Sequence, residues 1–282
     1  MKVVRTKAEL RAELAPARTT GQVIGLVPTM GALHGGHLAL LAAARERSDV
    51  VVMSLFVNPA QFGPGEDLDA YPRDEPRDLE LAEAAGVDVV YAPAAAEVYP
   101  EGFATTVEVG GVLTGVLDGD PARRGPEHFR GVTTVVAKLL SSTGPQLLFM
   151  GQKDAQQAVV VQRMVRDLDF DVEVVTVPTV REPDGLALSS RNAYLSESER
   201  ERASAIGRAL ATAARRVADG ESLDAALAAA RKELEAAGIE PEYLEARDAE
   251  NLGEVESIDG RPVLIAVAAR VGAARLIDNV LI

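Results

Sequence analysis

The segment Val50 to Val57, VVVMSLFV, is apolar at nearly every position instead of at alternate ones. A strand with that pattern is buried on both faces, which suits a parallel sheet covered by helices on both sides. Its neighbours extend the reading. A short apolar run, Val23 to Val27, ends at Pro28, and an Ala/Leu-rich helix follows from Leu38 to Arg47. Helices are expected over Arg77 to Ala85 (closed by Gly86), Gly131 to Ser141 and Asp154 to Asp167, and strands over Val87 to Tyr91, Gln146 to Met150 and Val172 to Val177. Alternation of this kind predicts an α/β fold, a parallel sheet flanked by helices. Ligands of such sheets bind beyond the carboxyl ends of the strands, so the residues after Val27, Val57, Met150 and Val177 are where chemistry is expected.

The pattern changes after Pro178. Two long helices, Ser196 to Ala218 and Leu223 to Ala237, precede three short strand candidates, Glu242 to Arg247, Val263 to Ala269 and Arg275 to Leu281. The chain of 282 residues is therefore expected to divide into a larger unit, 1–178, and a smaller C-terminal α+β unit, 179–282.

Composition narrows the function. Acidic residues outnumber basic ones 43 to 29, for a formal charge of −14. That field repels a polyanion, and no Lys/Arg run offsets it, so no nucleic-acid partner is expected. The absence of cysteine removes disulfides, thiolate metal sites and Cys nucleophiles, and it fits a reducing cytoplasm. Met1 to Leu10 lacks the apolar core of a signal peptide, and no stretch approaches the roughly 20 apolar residues of a membrane span.

Five segments carry candidate chemistry. The first strand runs into PTMGALHGGH (28–37), where glycines permit close backbone approach and a helix start offers free amides to phosphate. Two of the three histidines, His34 and His37, fall here at i and i+3 and can point the same way. They read as phosphate donors, as a metal pair, or as incidental residues of a capping turn. The second strand ends in FVNPAQF (56–62), with Asn58 and Gln61 as neutral donor-acceptors. EHFRG (127–131) opens a helix and could supply a cation and amides. GQKDAQQ (151–157) places Lys153 where phosphate would sit, with Asp154 as a helix cap and Gln157 on the first turn. DGLALSSRN (184–192) offers Ser189, Ser190 and Arg191 in a Gly-containing loop, a phosphate clamp or a plain linker. Together these groups suit attack of a carboxylate on the α-phosphorus of ATP, where negative charge builds on phosphate oxygens and no enzyme nucleophile is needed.

These segments, in this order, resemble the signature of the pantothenate synthetase (pantoate–β-alanine ligase) family, and the likeness continues to RLIDN (275–279). The resemblance implies a Rossmann-like fold of the HIGH-motif nucleotidyltransferase superfamily, a C-terminal lid or clamp domain, and a homodimer in the cytoplasm. It implies that pantoate and ATP with Mg²⁺ form pantoyl adenylate, which β-alanine converts to pantothenate, with no tightly held organic cofactor. ATP would be bound by Met30, Gly31, Ala32, Leu33, His34, Gly35, Gly36, His37, Gly151, Gln152, Lys153, Asp154, Val180, Leu188, Ser189, Ser190 and Arg191. His37 would take an acid role beside His34, and Lys153 and Arg191 would stabilise charge. Gln61 would contact pantoate and β-alanine, and Gln157 pantoate. Mg²⁺ ligands are not implied. Position 35 is Gly where many members carry an acidic residue, and Leu188 stands where some carry Met. A nucleotidyltransferase that leaves its nucleotide on the product, a nucleotide sensor and a tRNA synthetase core are competing readings. The Gln61/Gln157 pair favours a ligase over the first, the intact histidine pair and Lys153 favour an enzyme over the second, and the acidic charge disfavours the third.

Overall fold

The computed structural model describes residues 1–63 and 68–282. Its larger sheet contains β1 (Lys2–Val4), β2 (Ile24–Thr29), β3 (Val50–Leu55), β4 (Val89–Tyr91), β5 (Leu147–Gly151) and β6 (Glu173–Val177). The order is β1-β4-β3-β2-β5-β6, with every pair parallel. The helices of this part are α1 (Lys7–Thr19), α2 (Gly35–Arg47), α3 (Glu75–Ala84), α4 (Ala95–Val98), α5 (Pro126–Thr143) and α6 (Ala155–Asp167).

The continuous apolar runs follow from this sandwich. Adjacent residues of one strand point to opposite faces. Leu26, Val52 and Leu148 pack with Leu10 and Leu14 of α1, Val132 and Val136 of α5 and Met164 of α6. Their neighbours Val27, Val51 and Phe149 pack on the other face with Leu41 and Ala44 of α2 and Ala82 of α3.

β1, α1 and the short α4 lie outside the sequence expectation. β1 is only three residues long, and α1 contains Pro16. α1 nonetheless starts at a reciprocal cap: Glu9 N–H donates to Thr6 Oγ1 (3.2 Å) and Thr6 N–H to the Glu9 carboxylate (3.0 Å). α5 also begins at Pro126, five residues before the expected Gly131. Gly131 is interior because α5 packs directly on the 3-10 turn Pro59–Gln61: a Cβ there would lie 2.1 Å from the Ala60 carbonyl oxygen. β3 ends at Leu55, short of Val57, and β2 runs on through Pro28 to Thr29.

The C-terminal part contains α7 (Glu197–Ala218), α8 (Leu223–Ala236) and an antiparallel sheet of β7 (Pro241–Asp248), β8 (Val263–Val271) and β9 (Ala274–Leu281), in that order. β8 is buried on both faces. Ile265, Val267 and Ala269 join the α7 and α8 core, whereas Leu264, Ala266 and Ala268 pack with Phe129, Ala155 and Val159 of the larger part. A polar pin crosses the same seam. Arg275 on β9 donates to Asp118 Oδ1 (2.8 Å) and Glu242 Oε2 (2.7 Å), and Tyr243 donates to Asp118 Oδ1 (2.8 Å). Burial opposes ionisation of Asp118, but Arg275 and Tyr243 hold its carboxyl below the usual range. Among the described residues, no helix is long and apolar enough to cross a membrane.

Candidate active site

The strand order reverses between β2 and β5: the chain proceeds outward through β3 and β4 on one side and through β6 on the other. A crevice at the carboxyl ends of strands is expected at such a switch point. The ladders show how it opens. β2 stays paired with β3 up to Thr29, but its pairing with β5 stops at Leu26. Pro28, which has no N–H to donate, falls where one neighbour has already been lost. A cleft of about 230 Å³ lies there, lined by Pro28, Thr29 and Met30 after β2, Gly151, Lys153 and Asp154 after β5, and Thr179 and Val180 after β6.

His34 is the cap of α2, and its extended backbone (φ −137°) turns the chain into the helix. Its Nδ1 accepts the Gly36 N–H at 3.1 Å, and His37 Nδ1 accepts the His34 N–H at 3.3 Å. The rings lie 4.1 Å apart. Both Nδ1 atoms face backbone donors, so each neutral ring carries its proton on Nε2, where it can be donated to a ligand. Protonating Nδ1 would set N–H against N–H. Burial, with Lys153 nearby, pushes His34 down to about 4. Burial, then His34 and Lys153, push His37 down to about 3. The pair is therefore neutral near pH 7, a set of donors and not cations. In the linkage sense, both folded values lie below that of free imidazole. Unfolded chain thus takes up protons first as pH falls, and the pair's contribution to stability, full above about 6.5, is lost toward 4 and then 3. With three histidines in the chain, NMR of histidine-labelled protein can resolve each ring. The His34 and His37 resonances are expected to stay fixed, in the Nε2–H tautomer, between about pH 5.5 and 8. A titration of either near 6.5 would refute this assignment.

Glycine at 36 is required by this cap, since a Cβ would meet His34 Cε1 at 2.9 Å. A Cβ at Gly35 would meet the tip of Leu188 at 2.9 Å, so the 188–191 segment lies directly over the start of α2. Glycine at 35 leaves the turn well formed and makes room for that approach.

Residues 31–33 do not line the cleft. Gly31 (φ 86°) and Ala32 (φ 51°) are left-handed, and the Ala32 and Leu33 amides donate to Asp78 Oδ2 (2.9 Å) and Oδ1 (2.7 Å). Asp78, on α3, is 2% exposed. Burial raises its pKa, against the pull of the two amides. Those amides are thus engaged within the protein, and Asp78 holds a strained turn in place. Sequence reasoning missed Asp78, whose only signal was an acidic residue on a helix.

The turn Gln152–Asp154 carries Lys153 at the mouth of β5. Asp154 occupies the cap position of α6 but makes no capping hydrogen bond; its carboxylate instead lies 3.8 Å from Lys153 Nζ. Gln152 lies behind the wall, donating to Asn279 Oδ1 at 2.9 Å. Gln157 lines the cleft on the first turn of α6.

Asn58, expected as a ligand group, is 1% exposed and fully used. It accepts from Tyr99 Oη (2.7 Å) and donates to the Gly131 carbonyl (3.1 Å) and to Gln61 Oε1 (3.0 Å). Because Gln61 Oε1 accepts that bond, its amide N–H₂ is the group left to face the cleft. His128 bridges the Gln61 carbonyl (2.8 Å) and Arg124 (3.0 Å). A carbonyl can only accept, so Nδ1 carries the proton and Nε2 accepts from Arg124. EHFRG therefore braces the Gln61 turn through His128, and its cation, Arg130, lies 3.8 Å from the Glu108 carboxylate.

After β6 the chain forms a small hairpin: Arg181 bridges Ala187, and the Leu188 N–H donates to Val180 O (3.0 Å). α7 seats it closely, since a Cβ on Gly207 would lie 2.2 Å from the Gly185 carbonyl. Leu188, Ser189, Ser190 and Arg191 line the same cleft as His34 and Lys153. Among the described residues no cluster of three His, Asp or Glu side chains could cage a metal ion.

A model of the family described as pantoate-beta-alanine ligase matches residues 2–281. The pantothenate synthetase of Moorella thermoacetica is 53% identical, covering 100% of this chain and 99% of that protein. That of Rhizorhabdus wittichii is 52% identical, covering 99% and 98%. The crystal structure of pantothenate synthetase from Thermus thermophilus superposes with a TM-score of 0.93 at 50% identity, over 99% of each chain. A pantoate-beta-alanine ligase from Francisella tularensis, complexed with beta-gamma ATP and beta-alanine, gives 0.81 at 32% identity, over 100% of this chain and 97% of that one.

Proposed function

The chain belongs to the pantoate–β-alanine ligase family, and from that premise we propose how this cleft carries out the family's reaction. The enzyme condenses pantoate with β-alanine at the cost of ATP. A pantoate carboxylate oxygen attacks the α-phosphorus, the bond to pyrophosphate breaks, and pantoyl adenylate forms. The amine of β-alanine then attacks the acyl carbon, the bond to AMP breaks, and the amine loses a proton to give pantothenate.

One observation supports the residue assignments most: the donor pair after β2 and the cation after β5 line the same cleft at the switch point, with Lys153 near enough to depress both imidazoles. His34 and His37 donate Nε2–H to phosphate oxygens, and Lys153 supplies the positive charge that the transition state requires. Met30, Gly36, Gly151, Asp154 and Val180 hold ATP with them, and Leu188 to Arg191 cover it. Gly31 to Leu33, Gly35 and Gln152 serve ATP through the backbone they shape. Gln61 presents its N–H₂ to the carboxylates of pantoate and β-alanine, and Gln157 binds pantoate. ATP enters as its Mg²⁺ complex; Asp154 is the cleft carboxylate nearest Lys153, and a single carboxylate with substrate phosphates suits Mg²⁺.

We assign 1–178 to ATP and pantoate and 179–282 to the clamp. The buried Arg275–Asp118 pin would have to break if the small sheet swung away, and Arg181 is tied to Asp278 of that sheet, so closure falls to the far end of the 181–192 loop, Leu188 to Asn192. We further read GGH (35–37) as a HIGH-type motif, and the enzyme as a cytoplasmic homodimer.

The test is product analysis. With pantoate and ATP alone, pyrophosphate is released at most stoichiometrically with enzyme; adding β-alanine gives continuous release of AMP and pyrophosphate in equal amounts. A nucleotide retained on the product, with no AMP, would overturn the assignment in favour of a nucleotidyltransferase.

A further inference from the structure

Beyond the Arg275 pin, the RLIDN segment has no place in the mechanism above, yet its polar residues reach both loops that enclose the cleft. Successive residues of β9 point to opposite faces. Asp278, 3% exposed, faces Arg181 and receives its guanidinium at 2.5 and 2.9 Å. Asn279, 4% exposed, faces the larger part. Its Nδ2 donates to the carbonyls of Gln152 (2.8 Å) and Lys153 (3.0 Å), while its Oδ1 accepts from Gln152 Nε2 (2.9 Å). All three bonds of the side-chain amide thus go to one turn, the turn that carries Lys153. The backbone of Asn279 is itself fixed, paired with Ala266 in the sheet and donating its N–H to Asp278 Oδ1 (2.8 Å).

We propose that Asn279 is a positioning residue for Lys153: the C-terminal sheet fixes the height and orientation of the Lys153 turn above β5. This rests on the reading of Lys153 as the charge-stabilising group. Asn279 touches no substrate. It acts by holding two adjacent carbonyls of a short 3-10 turn. A shift of this turn by about 1 Å would move an ammonium at the end of a four-carbon stem out of register with the phosphate, which can cost on the order of 10²-fold in rate.

The test compares full-length parent, Asn279→Ala, Lys153→Ala, the double variant and Leu276→Ala, assayed for AMP release with pantoate, ATP and β-alanine well below their melting temperatures. Leu276 lies on the same strand but packs on the α7 and α8 face, so its variant reports loss of stability alone. Parent turnover and its loss in Lys153→Ala check the underlying reading first. Asn279→Ala is then expected to lower kcat by about tenfold or more with KM for pantoate within about threefold, and to cost less than about twofold in the Lys153→Ala background. Leu276→Ala should lower Tm while leaving kcat near parent. The proposal is overturned if Asn279→Ala keeps kcat within about twofold of parent, or if the two losses multiply in the double variant. Should Asn279→Ala lack a cooperative melt, Asn279→Ser carries the same comparison.

Discussion

Lys153→Ala is expected to slow adenylate formation by about 10²- to 10³-fold, the loss that follows removal of one preorganised transition-state donor. The lysine stands on a 3-10 turn at the carboxyl end of β5, with its side chain 21% exposed. Its carboxylate neighbour, Asp154, lies 3.8 Å from Nζ, an ion pair too long for a hydrogen bond, so the ammonium keeps its directional donors for phosphate. The histidines of the same cleft are neutral, which concentrates the demand for positive charge on Lys153 and Arg191. Charge develops on phosphate oxygens in the first half-reaction, so the fall belongs in pyrophosphate release during a single turnover. KM for pantoate should change little. A fall of less than about threefold would remove Lys153 from the catalytic set.

The sheet and its cleft were legible because burial on both faces leaves a pattern that local sequence cannot hide. Leu26 and Val27, or Leu148 and Phe149, are both apolar because helices cover both sides. The cleft followed from the strand ends alone. What stayed hidden depends on partners distant in sequence. Asp78 reads as a helix-surface acid, yet both its oxygens are committed to amides more than forty positions earlier. Asn58 read as a ligand group, and only the folded arrangement, with Tyr99 and Gly131 brought beside it, shows that its amide is saturated. Gly131 looked like a helix start because a mid-helix glycine has no local reason. Its reason is the Ala60 carbonyl. The segment RLIDN was marked by resemblance, but its contacts with Lys153, Arg181 and Asp118 required the second sheet to dock.

His37→Ala is expected to lower turnover by a similar factor, about 10²- to 10³-fold, but for a different reason from an acid role. At about 3, the free-enzyme value lies far enough below 7 to leave the ring neutral. Bound phosphates raise it, and an adjacent opposite charge is worth about 1 to 3 units, which still leaves the ring mostly neutral near pH 7. A neutral ring would act through a fixed Nε2–H, and kcat for the parent is then expected to show no rise as pH falls from about 8 to 7. An acid role would give that rise and would lose it in His37→Ala. The substitution also strips the His34 N–H of its acceptor, since His37 Nδ1 receives it. His34 then loses part of its orientation, so the double variant His34→Ala/His37→Ala should fall well short of the product of the single losses. Multiplying losses would mean two independent donors, and a His37→Ala enzyme within about threefold of parent would take His37 out of the site.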